Sequence, residues 1–160
     1  MLSFVFGPHF LHNDILMQLV NLLELEDEMV APLVLSIFTF LGKYKPLCDV
    51  APDIMNLMVP ICKNFAETGT PKQAKQAVRC LFVNMTNIHD TIFPEIIERI
   101  KNTLTPTSEY YRTSIVTLGH IAYNLPDKYQ VQIKNMVSRK VSYNINKLQF
   151  LVSNALLYTI

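Results

Sequence analysis

The sequence has little charge, little glycine and few cysteines, and it has no tryptophan. Of its 160 residues, 17% are charged, four are glycine and three are cysteine. Disordered chains combine low hydrophobicity with high net charge, whereas half of these residues are hydrophobic and the formal net charge is +1. The composition therefore excludes disorder, and the scarcity of glycine excludes a collagen-like chain.

Long uncharged runs are missing as well. The runs 1–13, 29–42 and 148–160 are each shorter than the ~18 apolar residues of a membrane-spanning helix,. No Lys or Arg precedes the apolar stretch at the N-terminus, so a signal peptide is not predicted. We expect no membrane association, and we expect other protein to cover part of the apolar surface.

The cysteines predict a reducing compartment. Cys48, Cys62 and Cys80 are odd in number and contain no C-x-x-C pair, so they predict neither a disulfide framework nor a zinc site,. Buried free thiols are the simpler interpretation. Asn84-Met85-Thr86 has the glycosylation pattern but lies in an apolar helical stretch, so we interpret it as a chance match.

Charge is distributed unevenly along the chain. Residues 1–68 carry three bases and eight acids, and residues 69–160 carry eleven bases and five acids. The overall charge therefore combines an acidic first part, at −5, with a basic second part, at +6. Such asymmetry can steer a partner of opposite charge but does not determine the fold.

Apolar residues recur with helical spacing through most of the chain, and no segment alternates cleanly with the period of a strand. Short breaks separate the helical segments, and Thr70-Pro71-Lys72-Gln73 predicts a capping box with Pro71 in the first turn. Gly42 is predicted to cap the end of a helix. Other breaks are predicted at 24–28, 68–69, 87–90, 105–108 and 124–127, with a helix over about 128–141 and a final one from about Leu148.

The helical segments also repeat. The pattern of Leu33, Val34 and Ile37 returns 44 residues later, and that of Ala77, Val78 and Leu81 returns 37 residues after that. A period near 40 is typical of HEAT and armadillo repeats, and Pro60 would bend a first helix as in HEAT units. We predict an all-α HEAT-repeat (armadillo-like) solenoid of about three to four helix pairs, at about 9–42, 50–86, 90–125 and 128–160. The alternative is a globule of six or seven helices without a true repeat.

Four blocks of sequence are informative through their order and spacing. They are EDEMVA at 26–31 followed by Ile37-Phe38, TPKQAKQAVRC at 70–80, IFPE at 92–95, and LGHIA at 118–122 followed by PDKY at 126–129. These blocks resemble the "precocious dissociation of sisters" family of cohesin-associated proteins, and the resemblance covers about residues 5–140. The family protein is many times longer, so this chain is interpreted as a fragment of a longer solenoid, a divergent short paralogue or the product of an incomplete gene model.

The resemblance implies a nuclear, chromatin-associated protein without enzymatic activity. It implies binding to cohesin through the kleisin subunit, together with wings-apart-like and sororin proteins, to control sister chromatid cohesion. An alternative is a HEAT adaptor in another pathway such as nuclear transport. A third hypothesis, a metalloprotein or enzyme built on His9, His12 and Asp14, lacks further ligands in the sequence.

Two basic groups are the candidate partner-binding residues. Second helices line the concave side of a HEAT array, where partners bind. An acidic peptide, an inositol polyphosphate or a nucleic-acid backbone could bind there, although a solvated face is the simpler alternative. No aromatic residues interleave with the bases, so sequence-specific nucleic-acid binding is not predicted. The candidates are Lys72, Lys75 and Arg79, and then Lys134, Arg139 and Lys140.

Neither terminal stretch offers the polar cap that the end of a solenoid needs. Leu2, Phe4, Val5 and Phe6 lie in the first, and Leu156, Leu157, Tyr158 and Ile160 in the second. We therefore predict that the isolated polypeptide associates readily and is only marginally soluble.

Overall fold

The computed structural model describes residues 12–140, and every regular element in that range is a helix. The all-α prediction is thereby confirmed. His9 and the final helix predicted from Leu148 lie outside the described residues. The helices are α1 (Asn13–Leu23), α2 (Val30–Tyr44), α3 (Leu47–Val50), α4 (Pro52–Thr68), α5 (Pro71–Asn84), α6 (His89–Ile100), α7 (Tyr111–Asn124) and α8 (Pro126–Lys140).

The helices stack in chain order as pairs. Helix α1 packs against α2, α4 against α5 and α6 against α7, and α8 packs on α7. The second helices also contact one another in sequence, α2 with α5 and α5 with α7, while the first helices α1, α4 and α6 do the same. Contacts between each pair and the next are typical of a HEAT-like solenoid, in which each repeat packs on its neighbours.

The capping box at the start of α5 is confirmed. The Thr70 hydroxyl accepts a hydrogen bond from the Gln73 N–H at 3.3 Å, and the Gln73 Oε1 accepts one from the Thr70 N–H at 2.8 Å. Both bonds satisfy backbone donors that a helix start would otherwise leave free. Helix α4 ends at Thr68, so the turn between the two helices is only two residues long.

The acidic break between α1 and α2 is also confirmed. The Asp27 carboxylate accepts hydrogen bonds from the N–H groups of Met29 and Val30, each at 2.8 Å. These bonds hold the pKa of the Asp27 carboxyl below its usual value. The acid therefore satisfies backbone donors where α2 begins.

The prediction that Gly42 caps a helix is wrong, because α2 continues to Tyr44. Gly42 is buried inside α2, against the side chain of Asn84 on α5. A Cβ atom at this position would overlap the Asn84 amide and lie 2.8 Å from the Val83 Cγ1. Glycine therefore permits the close approach of α2 and α5. A pattern of neighbouring residues in the sequence does not reveal this contact.

Side-chain amides and hydroxyls join successive pairs. The fully buried Asn84 donates through Nδ2 to the Phe38 carbonyl at 3.1 Å and accepts from the Leu47 N–H at 3.1 Å. On α7, Thr113 donates to the Gly69 carbonyl at 2.5 Å and Thr117 to the Ala66 carbonyl at 2.6 Å. Asn84 is also the acceptor residue of the glycosylation pattern, so its amide is already committed to the core.

The three cysteines are free thiols, as predicted. Cys62 and Cys80 are completely buried, and Cys48 is partly buried. The pKa of the Cys62 thiol lies well above its usual value because Cys80 hydrogen-bonds with it and because it is buried. A raised pKa keeps Cys62 protonated and unreactive.

Candidate partner-binding surface

The second helices carry bases and no acids. Helices α2, α5 and α7 contain no Asp or Glu, whereas α4 and α6 contain both signs of charge. The two layers of the solenoid therefore differ in charge. The charge difference between residues 1–68 and 69–160 does not reveal this. The bases of the second helices are Lys43, Lys72, Lys75, Arg79 and Arg112.

On the first helices the bases are paired with acids. Lys63 on α4 lies 2.5 Å from the Glu95 carboxylate on α6, and Arg99 binds the same carboxylate at 2.7 Å. The bond from Lys63 is the main reason that the pKa of Glu95 is lowered. Lys128 on α8 pairs with Asp90 on α6. These pairs link successive first helices, and acids outnumber bases on α1, α4 and α6.

Lys72, Lys75 and Arg79 form what we call the α5 basic flank. Their spacing of three and four residues places them on one side of the helix. Lys72 is exposed, and Lys75 and Arg79 are half-buried. Within residues 12–139, no carboxylate forms a salt bridge with Lys72 or Arg79. Burial, and then the charge of Arg79, lowers the pKa of Lys75.

A small pocket lies beside this flank, between α5 and α7. Its volume is about 130 Å³, and Arg79, His120, Tyr123 and Asn124 line it. The Asn124 amide donates to the His120 carbonyl at 2.7 Å. The Tyr123 side chain is largely exposed, with 55% of the residue accessible. The pocket therefore combines a cation, an aromatic ring and a buried imidazole.

His120 is 3% exposed and lies close to the cations of α5. Burial is the main reason that its pKa falls to about 4, and repulsion from Lys75 and Arg79 adds to it,. The ring is therefore neutral at physiological pH. The candidate binding residues taken from the sequence do not include His120. The repeat pattern was the available signal, since stacked second helices bring distant residues of α5 and α7 together.

The second basic group lies on α8, apart from the first. Lys134 and Arg139 are exposed, and Lys140 is the last residue of α8, with its side chain outside what the structure describes. Among the described residues, no hydrogen bond or salt bridge connects Lys134 or Arg139 with the α5 basic flank. The structure therefore brings Arg79 together with His120, and not with the α8 bases.

The metal hypothesis gains no support from the described residues. His12 Nδ1 lies 3.7 Å from the Asp14 carboxylate, and both side chains are strongly exposed. No group of three or more potential ligands occurs between residues 12 and 140. In the same range, no helix has the length and hydropathy needed to cross a bilayer.

Comparison with known families gives one consistent answer. The family model described as sister chromatid cohesion protein PDS5 matches residues 1–147. The sister chromatid cohesion protein PDS5 homolog B-B of Xenopus laevis is 32% identical over 138 residues, which are 86% of this chain and 9% of the relative. Homolog A of Homo sapiens is 33% identical over 138 residues, which are 86% of this chain and 10% of the relative.

The chain thus spans about a tenth of the length of the curated relatives that it matches. No solved structure matches it significantly. The matches favour the cohesion interpretation over the nuclear-transport alternative.

Proposed function

The chain belongs to the sister chromatid cohesion protein PDS5 family, and from this membership we propose that it is a non-enzymatic scaffold that binds cohesin and helps to control sister chromatid cohesion. The finer parts of the proposal are its partners and its location. The partners are the kleisin subunit of cohesin and factors of the wings-apart-like or sororin type. The location is chromatin in the nucleus.

The proposed binding surface is the second-helix layer, with the α5 basic flank at its centre. The observation that supports this choice is the absence of acids from α2, α5 and α7, together with Lys72 and Arg79, which form no salt bridge with a carboxylate of the described residues. A positive surface attracts an acidic segment and raises the rate of encounter. On the first helices α1, α4 and α6, acids outnumber bases, so that layer offers no positive field.

We also propose how the chain is divided. The pairs α1–α2, α4–α5 and α6–α7 are the first three repeats, at about 9–42, 50–86 and 90–125, and α8 begins a fourth at about 128–160. Lys134, Arg139 and Lys140 belong to that fourth repeat and form a second, separate contact region for a protein partner.

Charge reversal of the α5 basic flank tests the proposed surface. The variant carries Lys72→Glu, Lys75→Glu and Arg79→Glu, and we expect it to weaken binding to a purified cohesin complex without unfolding the helices. A triple reversal at Lys45, Lys101 and Lys128 is the matched control, because these exposed or half-exposed bases lie outside the second helices.

Pulldown at physiological salt gives the affinity, and circular dichroism reports the helix content of each variant. Reversal of Lys134 and Arg139 tests the second region in the same assay. Equal cohesin binding by the wild-type chain and by both reversed variants would refute the assignment of this surface. If the wild-type chain itself fails to retain cohesin, the proposed function is wrong for this segment.

A further inference from the structure

The pocket between α5 and α7 has more specific chemistry than the surface around it. Arg79 lies at its wall, the buried imidazole of His120 contributes to its interior, and the exposed ring of Tyr123 lies at its edge. A pocket of about 130 Å³ exceeds the ~10–15 Å³ that one water molecule requires,. It therefore has room for a small polar group and the methylene next to it.

The charges around the pocket have one sign. Lys75 and Arg79 both act on the His120 ring, and neither α5 nor α7 supplies an acid to offset them. The other helices packed against α7, which are α4, α6 and α8, contribute no described group that shifts the pKa of the ring. A neutral or cationic occupant would leave the charge of Arg79 without a carboxylate among the described residues, whereas an oxyanion would compensate it,.

We propose that this pocket receives the carboxylate of an acidic side chain on an extended segment of a partner protein, with Arg79 as its anchor. The proposal rests on the proposed function and names the chemistry of the partner at the same surface. Arg presents two parallel N–H groups to a carboxylate, which gives a directional bond that lysines on an open surface lack. Tyr123 offers a flat apolar contact to the segment on either side of the acid.

Binding at this pocket is coupled to the protonation of His120. A carboxylate beside Arg79 reduces the repulsion that the cations of α5 exert on an imidazolium, so the bound state raises the pKa of His120 from about 4,. Because the complex then takes up a proton more readily than the free chain, protonation of His120 favours the bound state. Above pH 7 this coupling disappears.

Fluorescence anisotropy with a labelled hexaglutamate peptide tests the proposal on the full 160-residue chain. Hexaglutamine is the uncharged control peptide. We expect Arg79→Gln to weaken hexaglutamate binding by ~10-fold, since a charge-assisted hydrogen bond is lost. Arg112→Gln removes the same charge from α7 outside the pocket, and we expect it to weaken hexaglutamate binding less than Arg79→Gln does. Arg79→Lys keeps the charge but loses the paired donors, so it should fall between wild type and Arg79→Gln.

Proton NMR of the histidine rings gives an independent measurement on the wild-type chain. The His120 signal, assigned by its loss in His120→Leu, should titrate at a higher pH in the presence of saturating hexaglutamate. This result does not depend on how well any arginine variant folds. An unchanged His120 titration curve at saturation would place the peptide elsewhere and overturn the proposal.

The possible results distinguish a failure of the pocket proposal from a failure of the proposed binding surface. Equal losses in Arg79→Gln and Arg112→Gln would refute the pocket and leave the proposed surface intact. Displacement of the peptide by inorganic phosphate at lower concentration than by free hexaglutamate would assign the pocket to small anions and not to a peptide. A third outcome is that the charge-reversed variant binds cohesin as well as the wild-type chain does, while the wild-type chain binds hexaglutamate at Arg79. That outcome would refute the proposed surface alone.

Discussion

Acid should destabilise this protein through one buried histidine. The unfolded chain protonates His120 near the ordinary histidine pKa of 6.5, and the folded chain does so only at a pKa of about 4. Between these values the unfolded state binds a proton that the folded state does not, so the free energy of unfolding falls as the pH is lowered. The slope approaches ~1.4 kcal/mol per pH unit, and the total loss by pH 4 is about 3 kcal/mol.

Two acidic groups titrate below the window of this measurement. Asp27 and Glu95 have lowered pKa values, so their contributions are lost only as the pH falls below their ordinary values of 3.8 and 4.5. Burial raises the pKa of Glu67, so this group stabilises the fold as the pH falls and opposes the effect of His120,. Urea unfolding followed by circular dichroism between pH 5 and 7 therefore isolates His120 by comparison with a variant that lacks it. In a domain of this size, a loss of ~1–2 kcal/mol across the window is a readily measured shift of the urea midpoint.

The matched variant is His120→Leu. It removes the titrating imidazole and places an apolar residue with good helix propensity at the buried position. We expect its stability to change much less between pH 5 and 7 than that of the wild-type chain. Arg79→Gln should reduce the slope partly, because one source of repulsion on the imidazolium is gone. If the wild-type chain and His120→Leu lose stability in parallel as the pH falls, the assignment to His120 is refuted.

Four further results are expected. Gly42→Ala should lower the free energy of unfolding in urea by ~1–3 kcal/mol, because its Cβ overlaps the Asn84 amide,; a neutral effect would contradict the packing role. Thr70→Ala should cost about 1 kcal/mol in the same assay by removing a helix cap,. Expression through a secretory pathway should leave the folded chain without glycan at Asn84, as judged by intact mass. Finally, light scattering should show association of the isolated chain that Met29→Lys and Leu33→Lys reduce, since these two residues are 66% and 62% exposed.

The helix pairs could be predicted from the sequence because their signals are local. The box at Thr70 and Gln73 depends on residues three positions apart, and the acidic break at 24–28 depends on one carboxylate next to free N–H groups. Periodicity then identifies the buried face of each helix. These interactions reappear in the structure because nothing from another repeat competes with them.

Gly42 shows where such reasoning fails. A glycine near the end of an apolar helical pattern predicts a cap, but whether the helix stops there depends on what packs against it. The neighbour is Asn84, 42 residues away, and its amide fills the space that a side chain would occupy. The short helix α3 between Leu47 and Val50 was not predicted either, and its first N–H bonds the same amide.

Only part of the candidate site could be predicted from the sequence, because the rest depends on packing between repeats. The spacing of Lys72, Lys75 and Arg79 on one helix is readable from the sequence alone. Their relation to His120 and Tyr123 depends on the stacking of α5 on α7, which periodicity does not specify. Of the four residues that line the pocket, only Arg79 was therefore predicted, as part of a flank of bases, and the other three required the structure.

Because of the hydrogen bonds between repeats, the solenoid accommodates substitutions more easily on one side of each junction than on the other. Gln73, Asn84, Thr113 and Thr117 all donate from a second helix, and each has a backbone carbonyl of the preceding pair as an acceptor. Every residue has that carbonyl, so substitutions in the preceding pair leave the acceptor in place. Only the donor must be retained, together with Gly42, which leaves the space that the Asn84 amide fills. Sequence can therefore diverge more freely on the acceptor side of each junction, and a solenoid can keep its register while the surfaces that its repeats present to partners change.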